Sequence, residues 1–189
     1  YARRDRIGRT VDYVSGRNRY IGYLISLGVY SFRGITVALD CANGASGNIA
    51  KAVFDALGAE TYVINDHPDG VNINTDCGST HMGSLQNFVR ENGLDIGFAF
   101  DGDADRMLAV DENGKMVDGD ELMAICGNYL NSKGRLAKDT IVVTVMTNLG
   151  FSIMGKEQDI NIEKTKVGDR YVLENMKENG YNLGGEQSG

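Results

Sequence analysis

The sequence has few cysteines and no pattern that pairs them. Cys41, Cys77 and Cys126 are an odd number, lie far apart and include no Cys-x-x-Cys pair. A disulfide framework or a structural zinc site normally shows an even count or closely spaced pairs. We therefore expect three reduced, mostly buried thiols.

Long hydrophobic runs are also missing. Although 42% of the 189 residues are hydrophobic, which is enough for a packed core, no segment reaches the roughly 18 to 20 consecutive apolar residues of a membrane-spanning helix. The N-terminus carries Arg3, Arg4 and Arg6 but lacks the apolar segment of a signal peptide. These features predict a cytoplasmic globular protein.

Positive charge is scarce as well. The chain has 19 Lys and Arg against 26 Asp and Glu, for a formal net charge of -7. Nucleic acids and anionic membranes are bound through a basic face, so neither is an expected partner. A phosphorylated sugar remains compatible with this balance, because its site needs only a few local cations or a metal ion.

The two ends suggest a piece of a longer protein, since the chain starts at Tyr1 rather than Met and stops at Gly189 within a Gly-rich segment. Residues 18–27 have helical character, but the glycines of the first thirty residues weaken that region as a free-standing unit. We expect residues 1–30 to be a connector from a missing first domain.

From residue 31 onwards, short β-branched runs alternate with amphipathic stretches. The predicted strands are 35–39, 61–64, 95–100, 107–110, 141–145 and 161–164, and the predicted helices are 46–57, 83–91, 120–130, 151–156 and 170–178. This alternation predicts an α/β fold with layered, mixed parallel and antiparallel sheets. A polar break at 131–139 leads us to expect a metal-binding domain at 31–133 and a partial second α/β domain at 134–189.

Three carboxylates, Asp101, Asp103 and Asp105, alternate with the small residues Gly102 and Ala104 directly after a predicted strand. Carboxylates held this close repel one another unless a cation neutralises them, and the small spacers let the backbone turn tightly. Ligands that are all oxygen select hard ions such as Mg²⁺. The spacing therefore predicts a metal site, with a solvated acidic turn as the alternative.

An EF-hand calcium loop is a second alternative. Counting from Asp101, the twelfth position is Glu112, as that motif requires. The sixth position, however, is Arg106 rather than the glycine of the sharp turn, and the flanking residues predict strands rather than helices. Arg106 fits better as a phosphate ligand, because its guanidinium can bind an anion bidentately beside a metal.

Seven short segments of the chain stand out together with the carboxylates: LDCANGA at 39–45, PDGVNIN at 68–74, CGSTH at 77–81, FDGDADR at 100–106, VDGD at 117–120, KVGDRYV at 166–172 and GGEQSG at 184–189. In these segments and their order the chain resembles the α-D-phosphohexomutases, as a fragment covering their second domain and part of the third. The form of the last segment resembles the branch of the family that acts on glucosamine phosphates.

The resemblance implies a role for several residues. Asp101, Asp103 and Asp105 would bind Mg²⁺, and Arg106 would contact the transferring phosphoryl group. Lys166 would lie near the reacting sugar, with a solvated surface lysine as the alternative. Independently of the resemblance, we interpret Asp169 and Arg170 as a structural pair in the loop that contains Lys166. The sugar hydroxyls would be bound by Glu186 and Ser188.

The resemblance also implies a reaction. The family branch interconverts glucosamine 6-phosphate and glucosamine 1-phosphate through a phosphoserine and a bound 1,6-bisphosphate, which supplies amino-sugar nucleotides and cell-wall precursors. Neither a TASHNP-like phosphoserine segment nor an RPSGTEP-like phosphate loop occurs in these residues, so the isolated chain is predicted to be inactive. The alternatives are a phosphomannomutase or phosphoglucomutase of the same family, or a non-catalytic calcium-binding module.

Overall fold

A five-stranded sheet and a two-stranded sheet, each packed with helices, organise the chain in the computed structural model. The structure describes residues 11–189. Helix α1 spans Val14–Leu27, which starts ahead of the predicted 18–27, and it packs against the next helix of the chain. The first ten residues of the expected connector, with their arginines, lie outside the described residues.

The first sheet has the strand order β2-β1-β3-β4-β5. Strand β1 runs parallel to β2 and β3, whereas β4 is antiparallel to both β3 and β5. Helices α2 and α3 connect the parallel strands, as parallel neighbours require. The elements are β1 Thr36–Asp40, α2 Ala50–Leu57, β2 Glu60–Ile64, α3 Gly83–Asn92, β3 Ile96–Phe100, β4 Met107–Asp111 and β5 Met116–Val117. This mixed sheet confirms the predicted α/β class.

Both faces of this sheet are covered by helices. Along β1, Val37 and Leu39 face α2, while Ala38 faces α3, because successive side chains of a strand point to opposite faces. On the α3 side, a Cβ atom on Gly97 would lie 2.8 Å from Val89 Cγ2, so the helix packs directly against the strand. Covering on both faces explains why β3 and the middle of β1, residues 37–39, are apolar.

The second unit is built on β6 and β7, which are parallel. Its elements are α4 Gly119–Ser132, β6 Thr140–Thr144, α5 Leu149–Glu157, β7 Asn161–Thr165 and α6 Asp169–Asn179. Strand β6 is buried at every position, and Gly184 forms a parallel bridge with Val142. Residues 184–189, hereafter the C-terminal loop, therefore begin at the free edge of β6.

Helix α4 packs on the second core rather than the first. Its Met123 and Leu130 lie against Leu136, Ile141 and Phe151. The expected break at 131–139 places α4 with the metal-binding domain, whereas these contacts favour a division between β5 and α4. The sequence suggested the later position because most of residues 131–139 are polar, although residues 131–132 end α4 and Leu136 belongs to the second core.

The three cysteines differ in burial. Cys41 and Cys77 are buried, Cys126 is exposed, and all three thiols are free. Burial raises the pKa of Cys41 to about 11, which keeps this thiol protonated at neutral pH.

Within residues 11–189, no helix combines the length and apolar character needed to cross a bilayer.

Candidate functional site

Residues 101–106, hereafter the carboxylate loop, connect the antiparallel strands β3 and β4. The loop is closed at its base by a hydrogen bond of 3.3 Å from Asp101 N to Arg106 O, and inside it Ala104 N donates to Asp101 O at 3.1 Å. Ala104 has φ 61°, a left-handed conformation that turns the chain back on itself. This tight turn brings the alternating carboxylates to one side.

The three carboxylates converge as predicted. One oxygen from each of Asp101, Asp103 and Asp105 lies within 4.8 Å of the other two. Asp101 is 1% exposed, whereas the other two aspartates are exposed. The loop therefore has one buried carboxylate at its base and two at the surface, a set of hard oxygen donors that suits a divalent cation.

The pKa values of two carboxylates in the loop are shifted in opposite directions, with that of Asp101 lowered and that of Asp105 raised. Burial by itself would raise the pKa of Asp101, but hydrogen bonds from the backbone and side chain of Arg106 favour its charged form and bring the pKa below the usual value. The pKa of Asp105 is raised by burial and by the negative charges of Asp101 and Asp103. A cation beside the loop would relieve this repulsion on Asp105.

Arg106 is held by the buried aspartate. Arg106 N donates to Asp101 Oδ1 at 3.0 Å, and Nε and Nη2 both lie 3.0 Å from Asp101 Oδ2. Its side chain is still 46% exposed. The guanidinium is fixed along one edge while the remainder is accessible to a ligand, so it can bind an anion beside the carboxylates.

A close backbone contact supports the carboxylate loop from below. Ala45 N donates to Gly102 O at 2.9 Å, and a Cβ atom on Gly44 would lie 2.7 Å from Gly102 Cα. Only glycine permits this approach. The Asn-Gly pair at 43–44, which in sequence resembles an ordinary turn, is therefore a support for the candidate metal site.

A second support is Asp40, the last residue of β1, which the sequence analysis did not single out. Its side chain is fully buried, and it accepts hydrogen bonds from Ala42 N at 3.0 Å and Gly78 N at 2.9 Å. Ser79 N in turn donates to Phe100 O at 2.9 Å. The sequence signal that could have identified Asp40 is its position as an aspartate at the end of an apolar strand, because a buried carboxylate must be paired.

The C-terminal loop lies beside the second sheet. Gly185 N donates to Val142 O at 3.0 Å, and Gly189 N donates to Glu186 O at 3.3 Å, which closes a turn over residues 186–189. Glu186 Oε1 accepts a hydrogen bond of 2.8 Å from Gly168 N, at the start of α6. This contact places Glu186 next to the segment that carries Lys166.

The two loops meet at β4. A Cβ atom on Gly189 would lie 2.8 Å from Met107 N, and Met107 directly follows Arg106. The structure thus brings the end of the C-terminal loop to the base of the carboxylate loop, although the two loops belong to different units. The positions of Gly189 and Met107 along the sequence do not predict this contact.

Lys166 and Ser188 are both exposed, and the structure records no hydrogen bond from either side chain among the described residues. Lys166 Nζ lies 5.8 Å from the centre of the Tyr171 ring. The expected pairing of Asp169 with Arg170 is wrong: Arg170 Nε donates to Glu174 Oε1 at 2.7 Å, because residues four apart share one helix face.

The EF-hand alternative is contradicted by the fold. The carboxylate loop joins two antiparallel strands, whereas an EF-hand loop joins two helices. Glu112 lies beyond β4 in an exposed turn, where its side chain accepts from Asn113 Nδ2 at 3.1 Å. It is not part of the carboxylate cluster.

Comparison with known families identifies relatives along most of the chain. The model for "Phosphoglucomutase/phosphomannomutase, alpha/beta/alpha domain II" matches residues 18–114, and that for domain III matches residues 118–189. A phosphoglucosamine mutase of Lachnoclostridium phytofermentans is 60% identical over 185 residues, which are 98% of this chain and 41% of that protein. One from Streptococcus sanguinis is 55% identical over 97% of this chain and 40% of its own length. The chain therefore spans about two fifths of these relatives.

Solved structures agree on the fold. A phosphoglucomutase/phosphomannomutase family protein of Burkholderia thailandensis superposes with a TM-score of 0.80 at 25% identity, covering 92% of this chain and 38% of that one. N-acetylphosphoglucosamine mutase of Aspergillus fumigatus, solved in complex with GlcNAc-6P and magnesium, gives a TM-score of 0.66 at 19% identity over 92% and 38% of the two chains.

Proposed function

Because the chain belongs to the phosphoglucomutase/phosphomannomutase family, we propose that it is the metal-binding and sugar-binding part of a phosphoglucosamine mutase. The intact enzyme would interconvert glucosamine 6-phosphate and glucosamine 1-phosphate. The observation that carries this proposal is the convergence of three carboxylates beside a partly accessible Arg106. High identity to phosphoglucosamine mutases supports the choice of substrate.

The carboxylate loop fits a Mg²⁺ ion. Asp101, Asp103 and Asp105 would supply three oxygen ligands, and the ion's remaining ligands would be water or a phosphate oxygen. When bound, the ion would neutralise negative charge on the transferring phosphoryl group. The buried, hydrogen-bonded Asp101 fixes one ligand in place, while the repulsion on Asp105 favours binding of a cation.

Arg106 would stabilise charge on the same phosphoryl group. Asp101 holds its Nε and Nη2, so the side chain is already oriented when a phosphate arrives. Phosphoryl transfer depends mainly on such positioning and on neutralising charge. A lysine would lack the planar, bidentate geometry that this arrangement uses.

The C-terminal loop would bind the sugar. Glu186 uses Oε1 to accept from Gly168 N, which leaves Oε2 to accept from a sugar hydroxyl. Ser188 is exposed and can both donate and accept. Lys166, two residues before Gly168, would stabilise phosphate charge or assist proton transfer near the sugar.

The remaining parts of the reaction would come from other domains of the intact protein. These are the phosphoserine that donates and recovers the phosphoryl group through a 1,6-bisphosphate, and the phosphate-binding loop. The isolated chain would consequently bind metal without turnover. Supply of amino-sugar nucleotides and cell-wall precursors, and a cytoplasmic location, follow from this role and stay predictions.

Metal titration tests the site directly. Calorimetry of the 189-residue chain should show weak Mg²⁺ binding that is lost in Asp103→Asn. Asp159→Asn, which alters an exposed aspartate outside the loop, is the matched control and should bind as the unaltered chain does. Retention of binding in Asp103→Asn would contradict the assignment of the ligands.

An activity assay tests the substrate. The intact protein should give the highest kcat/KM with glucosamine 6-phosphate, compared with glucose and mannose phosphates. A preference for mannose or glucose phosphate would instead identify a phosphomannomutase or phosphoglucomutase of the same family. The isolated chain should show no turnover, and measurable turnover would contradict the need for further domains.

A further inference from the structure

Gln187 lies between the two residues proposed to bind the sugar, yet its contacts are with helix α4. Gln187 Nε2 donates to Asp118 Oδ2 at 3.1 Å, and Gln187 O accepts from Gly119 N at 3.0 Å. Both the side chain and the backbone of Gln187 are therefore attached to the start of α4.

The partner carboxylate is fixed before Gln187 reaches it. Asp118 is the N-cap of α4: its Oδ1 accepts from Glu121 N at 2.9 Å, and Asp118 N donates to Glu121 Oε2 at 3.2 Å. This capping box orients the side chain through Oδ1. Oδ2 is left free to accept from Gln187.

The helix start also packs directly against the loop backbone. A Cβ atom on Gly119 would lie 2.8 Å from Gln187 O and would overlap the carbonyl oxygen of Glu186. The first N–H groups of a helix have no partner inside the helix, and here the C-terminal loop supplies one. A displacement of Gln187 would move Glu186 and Ser188 with it, since the turn over residues 186–189 is closed.

We propose that Gln187 and Asp118, hereafter the loop clamp, position the C-terminal loop for sugar binding. This inference rests on the proposed function. Gln187 is in this view a positioning residue: it holds Glu186 and Ser188 in place through α4 and makes no contact with the sugar itself. Asp118 has two roles, one oxygen capping the helix and the other anchoring the loop.

Kinetics of the intact protein test the clamp through two different variants. Gln187→Ala removes the donor. Asp118→Ser removes the carboxylate and with it the acceptor Oδ2, while the serine hydroxyl is also a good N-cap and can keep a capping box with Glu121. Each should raise the KM for glucosamine 6-phosphate about fivefold, the effect of losing one such hydrogen bond, with little change in kcat.

The double variant separates a clamp from two unrelated effects. Gln187→Ala combined with Asp118→Ser should raise the KM no further than either change alone, because both remove the same interaction. Gln158→Ala, at an exposed glutamine that ends α5, should leave the KM unchanged. Multiplied effects in the double variant, or an unchanged KM in Gln187→Ala, would overturn the proposal.

Amide hydrogen exchange on the 189-residue chain separates this inference from the proposed function. Without substrate, exchange at Gly119 N should be about fivefold faster in Gln187→Ala than in the unaltered chain, because the loop opens more often. If the intact protein turned over no phosphosugar, the proposed function would be wrong and exchange would decide the clamp. An equal rate at Gly119 N would overturn it.

Discussion

The two loops of the candidate site are held in different ways. The carboxylate loop rests on a buried aspartate and on backbone contacts that admit no side chain at Gly44. The C-terminal loop has backbone contacts with Val142 and Gly119, but its side-chain supports are less buried: the exposed Gln187 donates to Asp118, and the half-buried Glu186 accepts from Gly168 N. A buried support resists change more than an exposed one, so the first loop should be rigid and the second adjustable.

The largest expected effect comes from breaking the backbone support. Gly44→Ala places a methyl group against the Gly102 backbone, so residues 43–45 and the carboxylate loop must separate. The free energy of unfolding should then fall by about 3 kcal/mol. Urea denaturation measures this. Gly22→Ala, in α1 where a Cβ atom meets nothing within 4 Å, should cause no loss. Equal stability of the two variants would contradict the role of Gly44 as a support for the carboxylate loop.

A smaller effect should follow the loss of charge at Asp101. Asp101→Asn weakens the hydrogen bonds with Arg106, and without metal the free energy of unfolding at neutral pH should fall by about 2 kcal/mol.

The pH dependence of that loss is fixed by the direction of the pKa shift. The pKa of Asp101 is lowered in the folded chain, so its contribution is fully present above the unfolded pKa of about 3.9 and is lost as pH falls through the folded pKa. The difference between Asp101→Asn and the unaltered chain should shrink below about pH 4. A difference that stayed constant would argue for a packing effect.

The smallest effect on stability is expected in the C-terminal loop. In Glu186→Gln, the amide oxygen can still accept from Gly168 N, so the free energy of unfolding should change by less than about 1 kcal/mol. The KM of the intact protein for glucosamine 6-phosphate should nevertheless rise about tenfold, because a charged acceptor is lost. Glu178→Gln, at an exposed glutamate of α6, should alter neither quantity.

The fold and the carboxylate cluster were predictable because their signals are local. Strand periodicity gave all the strands except β5, whose two residues are too few to show alternation. The alternating aspartates gave the candidate metal site, since small spacers between like charges restrict the turn. Recognition of the family, confirmed by the comparisons, rested on motifs of the same short length.

Features that join distant segments were not predictable in this way. The place of α4 in the second core depends on which sheet its apolar face meets, and periodicity does not determine that. Asp40 and Gln187 are single polar residues whose partners lie 38 and 69 positions away along the chain. Their importance comes from the hydrogen-bond partners that the fold brings to them in three dimensions.

The fully buried carboxylate of Asp40 joins the residues that follow β1 to those that precede α3. Opening either segment alone would leave one carboxylate oxygen without a partner in an apolar environment, which is costly. The two segments should therefore unfold and refold as a single cooperative unit. Thermal motion that reaches the base of the candidate metal site would then be an infrequent, collective event rather than independent fraying of two loops.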